Sequence, residues 1–168
     1  LASSTTTVCT ISGFLLTLRK IGTCSITATQ AGTTNFLAAT PVTRSISITK
    51  ASQAINFNPP TALTLPQSPF ILAATASSGL PVTFTTSTLA VCTVSASTLT
   101  LLQVGDCSVT ASQSGNATYA AAAPVTVVIS VTKVAQTIAF NPSTALSTVP
   151  ASYQLDGTAS SGLPVSRQ

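Results

Sequence analysis

Hydrophobic and polar residues alternate with a period of two along much of the chain. The alternation is clearest in six runs between positions 51 and 133, namely 54–57, 70–74, 82–85, 98–101, 107–111 and 125–131. These runs are rich in Val, Ile, Thr and Phe, and successive side chains of a strand point to opposite faces, so the pattern predicts β-strands with one buried face. No stretch has the 3.6-residue period of an amphipathic helix. The sequence therefore predicts an all-β protein.

Clusters of turn-forming residues separate the predicted strands. They contain the Gly, Pro, Asn and Asp residues that tight turns favour, and they lie at 58–60, 78–79, 105–106 and 114–116. About seven short strands, with turn signals every 8 to 12 residues or so, are typical of an immunoglobulin-like β-sandwich. We therefore predict that two sheets pack face to face.

The sequence repeats itself at a constant offset. Val8-Cys9-Thr10 recurs as Val91-Cys92-Thr93, and the segment 77–82 recurs as 160–165. Residues 1–50 and 84–133 are identical at 25 of 50 positions without a gap, which is too many identities for a shared composition alone. This pattern indicates tandem duplication. The predicted fold class is thus all-β, with tandem immunoglobulin-like β-sandwich modules of about 83 residues each.

The frame of the repeat predicts the domain organisation. Lys50 and Lys133 close alternating runs and mark module ends, so residues 51–133 form one complete module. Residues 1–50 match only the C-terminal part of a module, and residues 134–168 match only the N-terminal part of a further one. We expect 134–168 of one copy to meet 1–50 of the next by strand complementation, in a head-to-tail contact that builds an open filament. Both one continuous chain and separate subunits are compatible with this expectation.

Composition argues against an enzyme. Only 5% of the residues are charged, with six Lys or Arg and two Asp, and the chain contains no His, Trp or Met. The absence of His excludes Ser-His-Asp and Cys-His catalytic units and metal sites that need imidazole. Paired acid–base catalysis and calcium binding both need carboxylates that lie close together, and two isolated Asp residues do not supply them. We therefore predict no catalytic residue, no cofactor and no metal site.

The charge and hydropathy patterns also limit the partners. The net charge is +4, but the six cationic residues are scattered and the sign mainly reflects the shortage of acids, so we predict no nucleic-acid partner. Thr, Ser, Pro or Gly interrupts every apolar run before it reaches the length of about 18 residues that a membrane helix needs. We accordingly predict no membrane-spanning segment.

The four cysteines have matched spacing. The separation in sequence between Cys9 and Cys24 equals that between Cys92 and Cys107. The equal spacing favours a disulfide within each repeat, although the sequence alone allows three pairings and also free thiols. A zinc site is excluded because there is no His and no Cys-x-x-Cys motif. Paired cysteines persist in oxidising compartments, so we expect a secreted or cell-surface protein.

Several motifs resemble a known family. The chain has Ala-Ser-Gln-Ala-Ile-Asn-Phe at 51–57, Val-Cys-Thr-Val-Ser at 91–95, Gly-Asn-Ala-Thr-Tyr at 115–119 and an eleven-residue motif at 74–84. These motifs resemble the bacterial immunoglobulin-like tandem repeats of very large secreted and surface proteins. The resemblance implies a stalk or adhesin module that is repeated many times, and it implies no particular ligand. Arg167 departs from the pattern because the middle repeat has Phe84 there, which casts doubt on the packing of the last strand.

Recurrent aromatic residues are expected in the core. Phe57, Phe70, Phe84 and Tyr119 occupy strand positions, and three of them recur as Phe140, Tyr153 and Phe36. Recurrence at strand positions is more typical of packing than of a binding surface.

Two function classes remain from the sequence. The first is a structural or adhesive extracellular element whose modules form a stalk or filament. The alternative is an adhesin module that binds a carbohydrate or a protein. A binding site should show polar or aromatic residues in one repeat only, and such differences are few and scattered: Phe14 against Ser97, Arg19 against Leu102 and Arg44 against Val127. This comparison favours the structural element and leaves any host or surface ligand unknown.

Overall fold

The computed structural model describes residues 1–142, 152–153 and 155–166. Within these residues, regular secondary structure consists of β-strands and one short 3-10 helix, Leu65–Gln67, so the chain is all-β as the sequence predicts. The prediction about Arg167 lies outside the described residues, as do parts of the predicted third module.

The strands of residues 1–50 form two antiparallel sheets. In chain order they are β1 (Ala2–Ser3), β2 (Cys9–Ser12), β3 (Leu15–Leu18), β4 (Gly22–Ala28) and β5 (Val42–Ile48). One sheet has the order β1-β4-β5, and the other is the hairpin β2-β3. The hairpin turns at Gly13, whose φ of 59° is the left-handed conformation that glycine adopts without steric cost.

The strands of residues 51–133 form three sheets. In chain order they are β6 (Ile55–Phe57), β7 (Ala62–Thr64), β8 (Phe70–Ile71), β9 (Ala74–Ala76), β10 (Thr83–Thr86), β11 (Cys92–Ser95), β12 (Thr98–Leu101), β13 (Gly105–Ser112) and β14 (Val125–Thr132). The sheets have the orders β10-β13-β14-β7, β11-β12-β8 and β6-β9. The β14-β7 pair is parallel, whereas β11-β12, β12-β8 and β6-β9 are antiparallel.

The described residues beyond position 133 contain one further sheet. Its strands are β15 (Ile138–Phe140) and β16 (Gly157–Ala159), which pair antiparallel with Phe140 opposite Gly157. Their bounds correspond to those of β6 and β9 at the offset of the sequence repeat.

The chain divides into two compact units. The first contains Leu1–Phe57, Ala74–Thr83 and Ala111–Val125. The second contains Asn58–Ala73, Phe84–Thr110 and Thr126–Gln168.

Each unit has its own buried side chains. In the first they are Cys9, Cys24, Phe57, Ala76, Ala111, Gln113 and Ala122. In the second they are Leu63, Leu72, Cys92, Leu99, Leu101, Cys107, Val109, Ile129 and Val131. Every second residue of β13 is buried from Cys107 onward, which is the period-two pattern of a strand with one face in the core.

The aromatic residues do not all lie in the core. Phe57 is buried, but its counterpart Phe140 is exposed, and so are Tyr153 and Phe36. The expectation of a core position is therefore wrong for these three residues. Phe140 belongs to the small two-stranded sheet β15-β16, and Phe36 lies on the loop between β4 and β5. Recurrence in sequence does not by itself supply the neighbours that would cover a ring.

Candidate functional site

The structure contains two disulfides. Cys9 is bonded to Cys24 with 5.7 Å between their α-carbons, and Cys92 is bonded to Cys107 with 5.8 Å. These are the two pairs that the spacing predicts. Cys92 opens β11 and Cys107 lies in β13, so this disulfide joins strands of two different sheets. All four cysteines are fully buried.

A pair of hydroxyl groups covers each disulfide. The hydroxyl oxygens of Ser3 and Thr5 lie 3.2 and 3.6 Å from the Cys9 Sγ atom. Those of Thr86 and Thr88 lie 3.3 and 3.4 Å from the Cys92 Sγ atom. A disulfide sulfur carries no hydrogen, so a hydroxyl must be the donor in any hydrogen bond to it. The Thr86 hydroxyl donates its one hydrogen to the Ser108 carbonyl at 2.7 Å, which leaves Thr88 as the donor to the Cys92 sulfur.

The same hydroxyls also bind the neighbouring backbone. The Ser25 N–H donates to Thr5 Oγ1, and the Ser108 N–H donates to Thr88 Oγ1, each at 2.9 Å. Each disulfide is therefore enclosed by side chains that are themselves fixed. Because thiol–disulfide exchange requires a thiolate to reach a sulfur atom, this enclosure protects the bonds from reduction.

A second polar site, the glutamine cluster, consists of Gln53, Ser78 and Gln113. Gln53 Nε2 donates to Gln113 Oε1 at 2.6 Å and to the Ala120 carbonyl at 2.7 Å. The Ser78 hydroxyl donates to Gln53 Oε1. Gln113 is buried, and Gln113 Nε2 is 3.4 Å from the Pro81 carbonyl that accepts from it. These hydrogen bonds connect Gln53, which precedes β6, to the turn that contains Ser78 and to the loop that contains Gln113 and Ala120.

The glutamine cluster lies beside a loop that binds a strand-like segment. We call residues 113–122 the receiving loop. The Ala51 N–H donates to the Thr118 carbonyl at 2.9 Å, and the Ala120 N–H donates to the Ala51 carbonyl at 2.8 Å. Ala51 and Tyr119 consequently pair as in a parallel sheet. The receiving loop therefore provides both backbone and side-chain partners to residues 51–53.

Residues 30–39 form a loop with the same internal hydrogen bonds. The Thr33 N–H donates to the Phe36 carbonyl at 2.9 Å, and the Ala39 N–H donates to the Gln30 carbonyl at 3.0 Å. The corresponding bonds of the receiving loop start at the amides of Asn116 and Ala122 and are both 3.0 Å long. Gln30, which corresponds to the buried Gln113, is exposed.

Gln136 and Ser161 repeat the hydrogen bond that joins Gln53 and Ser78 in the glutamine cluster. The Ser161 hydroxyl donates to Gln136 Oε1, as Ser78 does to Gln53. The Thr137 N–H donates to Ser160 Oγ at 3.0 Å, which corresponds to a 3.1 Å bond from Ala54 to Ser77. Gln136 is exposed.

The two end segments, residues 1–50 and the described part of 134–166, expose apolar residues whose counterparts between 51 and 133 are buried. Phe140 is 54% exposed and Phe57 is 5% exposed. Leu18 is 57% exposed and Leu101 is 7% exposed. The same contrast holds for Leu155 against Leu72 and for Ile46 against Ile129.

The surface of the described residues has clefts in both units. A basic cleft of about 560 Å³ lies in the first unit and is lined by Leu18, Arg19, Lys20, Ile21, Ile48, Thr49, Lys50, Ala117 and Thr118. A cleft of mixed polarity, also of about 560 Å³, lies in the second unit and is lined by Ile138, Phe140, Leu155, Asp156, Gly157, Val165 and Ser166. The basic cleft collects three cationic side chains, of which Lys50 is distant in sequence from the other two.

Two features are absent from the part of the chain that the structure describes. These residues contain no group of three His, Cys, Asp or Glu side chains that could hold a metal ion. They also contain no helix of the length and hydropathy that a membrane span requires.

No protein-family model matches the sequence, and no curated protein matches it either. The family resemblance of the motifs therefore stays an expectation.

Proposed function

We propose that the chain is a structural element of an extracellular stalk or filament, built from disulfide-stabilised immunoglobulin-like modules that join head to tail. One observation carries the proposal: each end segment exposes residues whose counterparts are buried between positions 51 and 133. A face that is buried in one repeat and exposed in another matches a contact between repeats. The modules act as spacers, and this role needs no catalytic group.

The strand order supports the immunoglobulin-like assignment. In such a sandwich, one sheet contains strands A, B, E and D, and the other contains C, F and G. In chain order, β10, β13 and β14 occupy the positions of C, F and G, and they are neighbours in one sheet. β8, β12 and β11 occupy the positions of B, E and D and are neighbours in another.

Equal strand spacing supports the tandem repeat. β2, β3 and β4 begin one repeat offset before β11, β12 and β13, and β6 and β9 precede β15 and β16 by the same offset. The hydroxyl groups at the disulfides and the glutamine–serine pairs follow this offset as well. The module bounds 1–50, 51–133 and 134–168 are part of the proposal.

The disulfides support an extracellular location. All four cysteines are paired within the chain, and such bonds persist mainly in oxidising compartments. A module of this size buries only about 60 to 65% of its unfolded surface, so a covalent bond adds stability that the small core lacks.

Electron microscopy tests the proposal. We expect the purified, oxidised chain to form unbranched threads as its concentration rises, with a matching increase in sedimentation coefficient. Ile46→Lys places a charge on an exposed apolar face whose counterpart Ile129 is buried, and it should suppress the threads. Ile71→Lys is the matched control because Ile71 is exposed in the middle segment. Particles that stay monomeric at every concentration would contradict the proposal.

A second candidate function follows from the basic cleft. Arg19, Lys20 and Lys50 line it, and the first two are replaced by Leu102 and Gln103 in the other repeat. Cationic side chains present in one repeat fit an anionic ligand such as a sulfated or carboxylated glycan.

Calorimetric titration with a sulfated oligosaccharide tests this second candidate. The double variant Arg19→Leu with Lys20→Gln restores the residues of the other repeat and should weaken binding at least about tenfold. Arg44→Val, which removes a charge that does not line the cleft, should bind as the wild type does. Equal binding by all three proteins would exclude the cleft as the site.

A further inference from the structure

We propose that residues 134–136 of one copy bind loop 30–39 of a second copy of this chain, in the way that residues 51–53 bind the receiving loop within a chain. This inference rests on the proposed head-to-tail function and assigns the residues that make the contact. Val134 takes the place of Ala51, and Gln136 takes the place of Gln53.

The chain supplies its own template for this contact. Ala51 exchanges two backbone hydrogen bonds with the receiving loop, and Gln53 Nε2 adds two more. By correspondence, the Val134 N–H would donate to the Asn35 carbonyl, and the Leu37 N–H would donate to the Val134 carbonyl. Such an addition of an extended segment is a common mode of peptide recognition.

Loop 30–39 already has the conformation that the template requires. Gly32 has a φ of 78° and its counterpart Gly115 has a φ of 75°. The Gly32 N–H donates to Gln30 Oε1 at 2.6 Å, as the Gly115 N–H donates to Gln113 Oε1. The Gln30 amide is therefore held in the orientation that receives a second glutamine. Preorganisation of this kind reduces the entropy lost on binding.

The groups that the contact would use are unpaired. Within the described residues, the Leu37 N–H and the Asn35 carbonyl form no hydrogen bond, and neither does Gln136 Nε2. Phe36, Leu37 and Val134 are exposed beside them. Unpaired backbone groups next to apolar side chains are a template for pairing with another chain.

A second copy of this chain is the occupant that the residues favour. Residues 134, 136, 138 and 140 are Val, Gln, Ile and Phe, and the template has Ala, Gln, Ile and Phe at 51, 53, 55 and 57. The cleft around Ile138 and Phe140 would close against the exposed Val42 and Ile46 of β5 in the second copy. A dimer joined in this way would still have one free loop 30–39 and one free segment 134–136, so that the contact propagates.

Gln136→Glu tests the contact with little change of shape. The substitution replaces the Nε2 donor by an oxygen, which would then face the Gln30 and Leu37 oxygens and lose two hydrogen bonds. We expect the association constant in sedimentation velocity to fall at least about tenfold. Gln103→Glu is the matched control, because Gln103 is exposed and the charge change is the same. Circular dichroism checks that both variants fold.

The same variant gives a directional test. A Gln136→Glu chain keeps an intact loop 30–39, so it should cap wild-type threads at one end and shorten them as its proportion in a mixture rises. The Gln103→Glu chain should enter the threads without shortening them.

Two different results would overturn the inference. Wild-type threads that form but respond equally to both variants would show that the contact lies elsewhere, while the head-to-tail function stands. A wild-type chain that stays monomeric would remove the head-to-tail function and this inference together.

Discussion

Gly115 is the residue on which the receiving loop turns. Its φ is 75°, and a β-carbon built there would collide with the carbonyl oxygen of Tyr119 and with the backbone of Ala120. A left-handed conformation costs an L-residue roughly 1–2 kcal/mol. The loop therefore requires glycine both for its conformation and for its close packing.

We expect Gly115→Ala to destabilise the protein more than Gly79→Ala. Gly79 has the same φ of 75° but nothing within 4 Å of its added β-carbon, so its substitution carries only the conformational cost of roughly 1–2 kcal/mol. Gly115→Ala adds a collision with backbone atoms, which should cost about 1–3 kcal/mol more. Urea titration measures both variants. Equal losses would show that the loop adjusts freely.

At the level of secondary-structure elements, each disulfide joins strands that belong to two different sheets. Cys92 and Cys107 close a loop of 15 residues between β11 and β13. In the chain-entropy description, closing such a loop stabilises the fold by about 3 kcal/mol. That is a large fraction of the net stability of a small domain.

The double variant Cys92→Ser with Cys107→Ser should lower the Tm by more than about 10 °C, at roughly 4–8 °C for each kcal/mol in a domain of this size. Differential scanning calorimetry measures the shift, and non-reducing peptide mapping confirms that the Cys9–Cys24 bond is intact. Because the native bond is buried, the wild type should resist reductant until denaturant is added. An unchanged Tm would mean that the bond adds nothing to stability.

Most strands could be predicted from the alternation of apolar residues. The run 98–101 is β12 in the structure, and the run 125–131 lies within β14. The run 70–74 is divided into β8 and β9, because Leu72 and Ala73 between them leave the strand conformation. The alternation does not predict the short parallel strand β7, since three residues close to Pro59 and Pro60 show too little alternation to indicate a strand.

The disulfides could be predicted from spacing, but the glutamine cluster could not. Gln53 and Gln113 recur as Gln136 and Gln30, which sets them apart from Gln103, whose counterpart is Lys20. Recurrence does not show, however, that two glutamines 60 residues apart meet in the fold. The conformation of the tight turns can also be predicted only in part from the positions of glycine. Ala96 has a φ of 53° at the position of Gly13, so the left-handed turn persists without the glycine that would mark it.

For the whole molecule, the composition predicts a weak response to pH. Histidine is the side chain whose ordinary pKa lies between 5 and 8, and the chain has none, while all four cysteines are bonded. The side chains that most often link stability to pH in this range are therefore missing from the chain. We expect Tm values at pH 5.5 and pH 7.5 to agree within about 2 °C. A larger difference in calorimetry would contradict this expectation.

The net charge of the molecule determines how salt changes the association between copies. Copies that each carry a charge of +4 repel one another, and salt screens this repulsion, while hydrogen bonds and apolar contacts remain. We expect head-to-tail association in about 0.5 M NaCl to be at least as strong as in about 0.05 M. Sedimentation velocity at both concentrations measures this. Dissociation by salt would instead indicate an ionic contact.

The buried disulfides also limit how far a module can lengthen when it is pulled. An extended chain gains at most about 3.3–3.6 Å per residue. A bond that closes 15 residues therefore withholds roughly 50 Å of contour length from its module. A stalk of such modules would yield under tension in shorter steps than its residue count implies. After each step a closed loop would still join the two sheets, which shortens the search for their native pairing when the load is released.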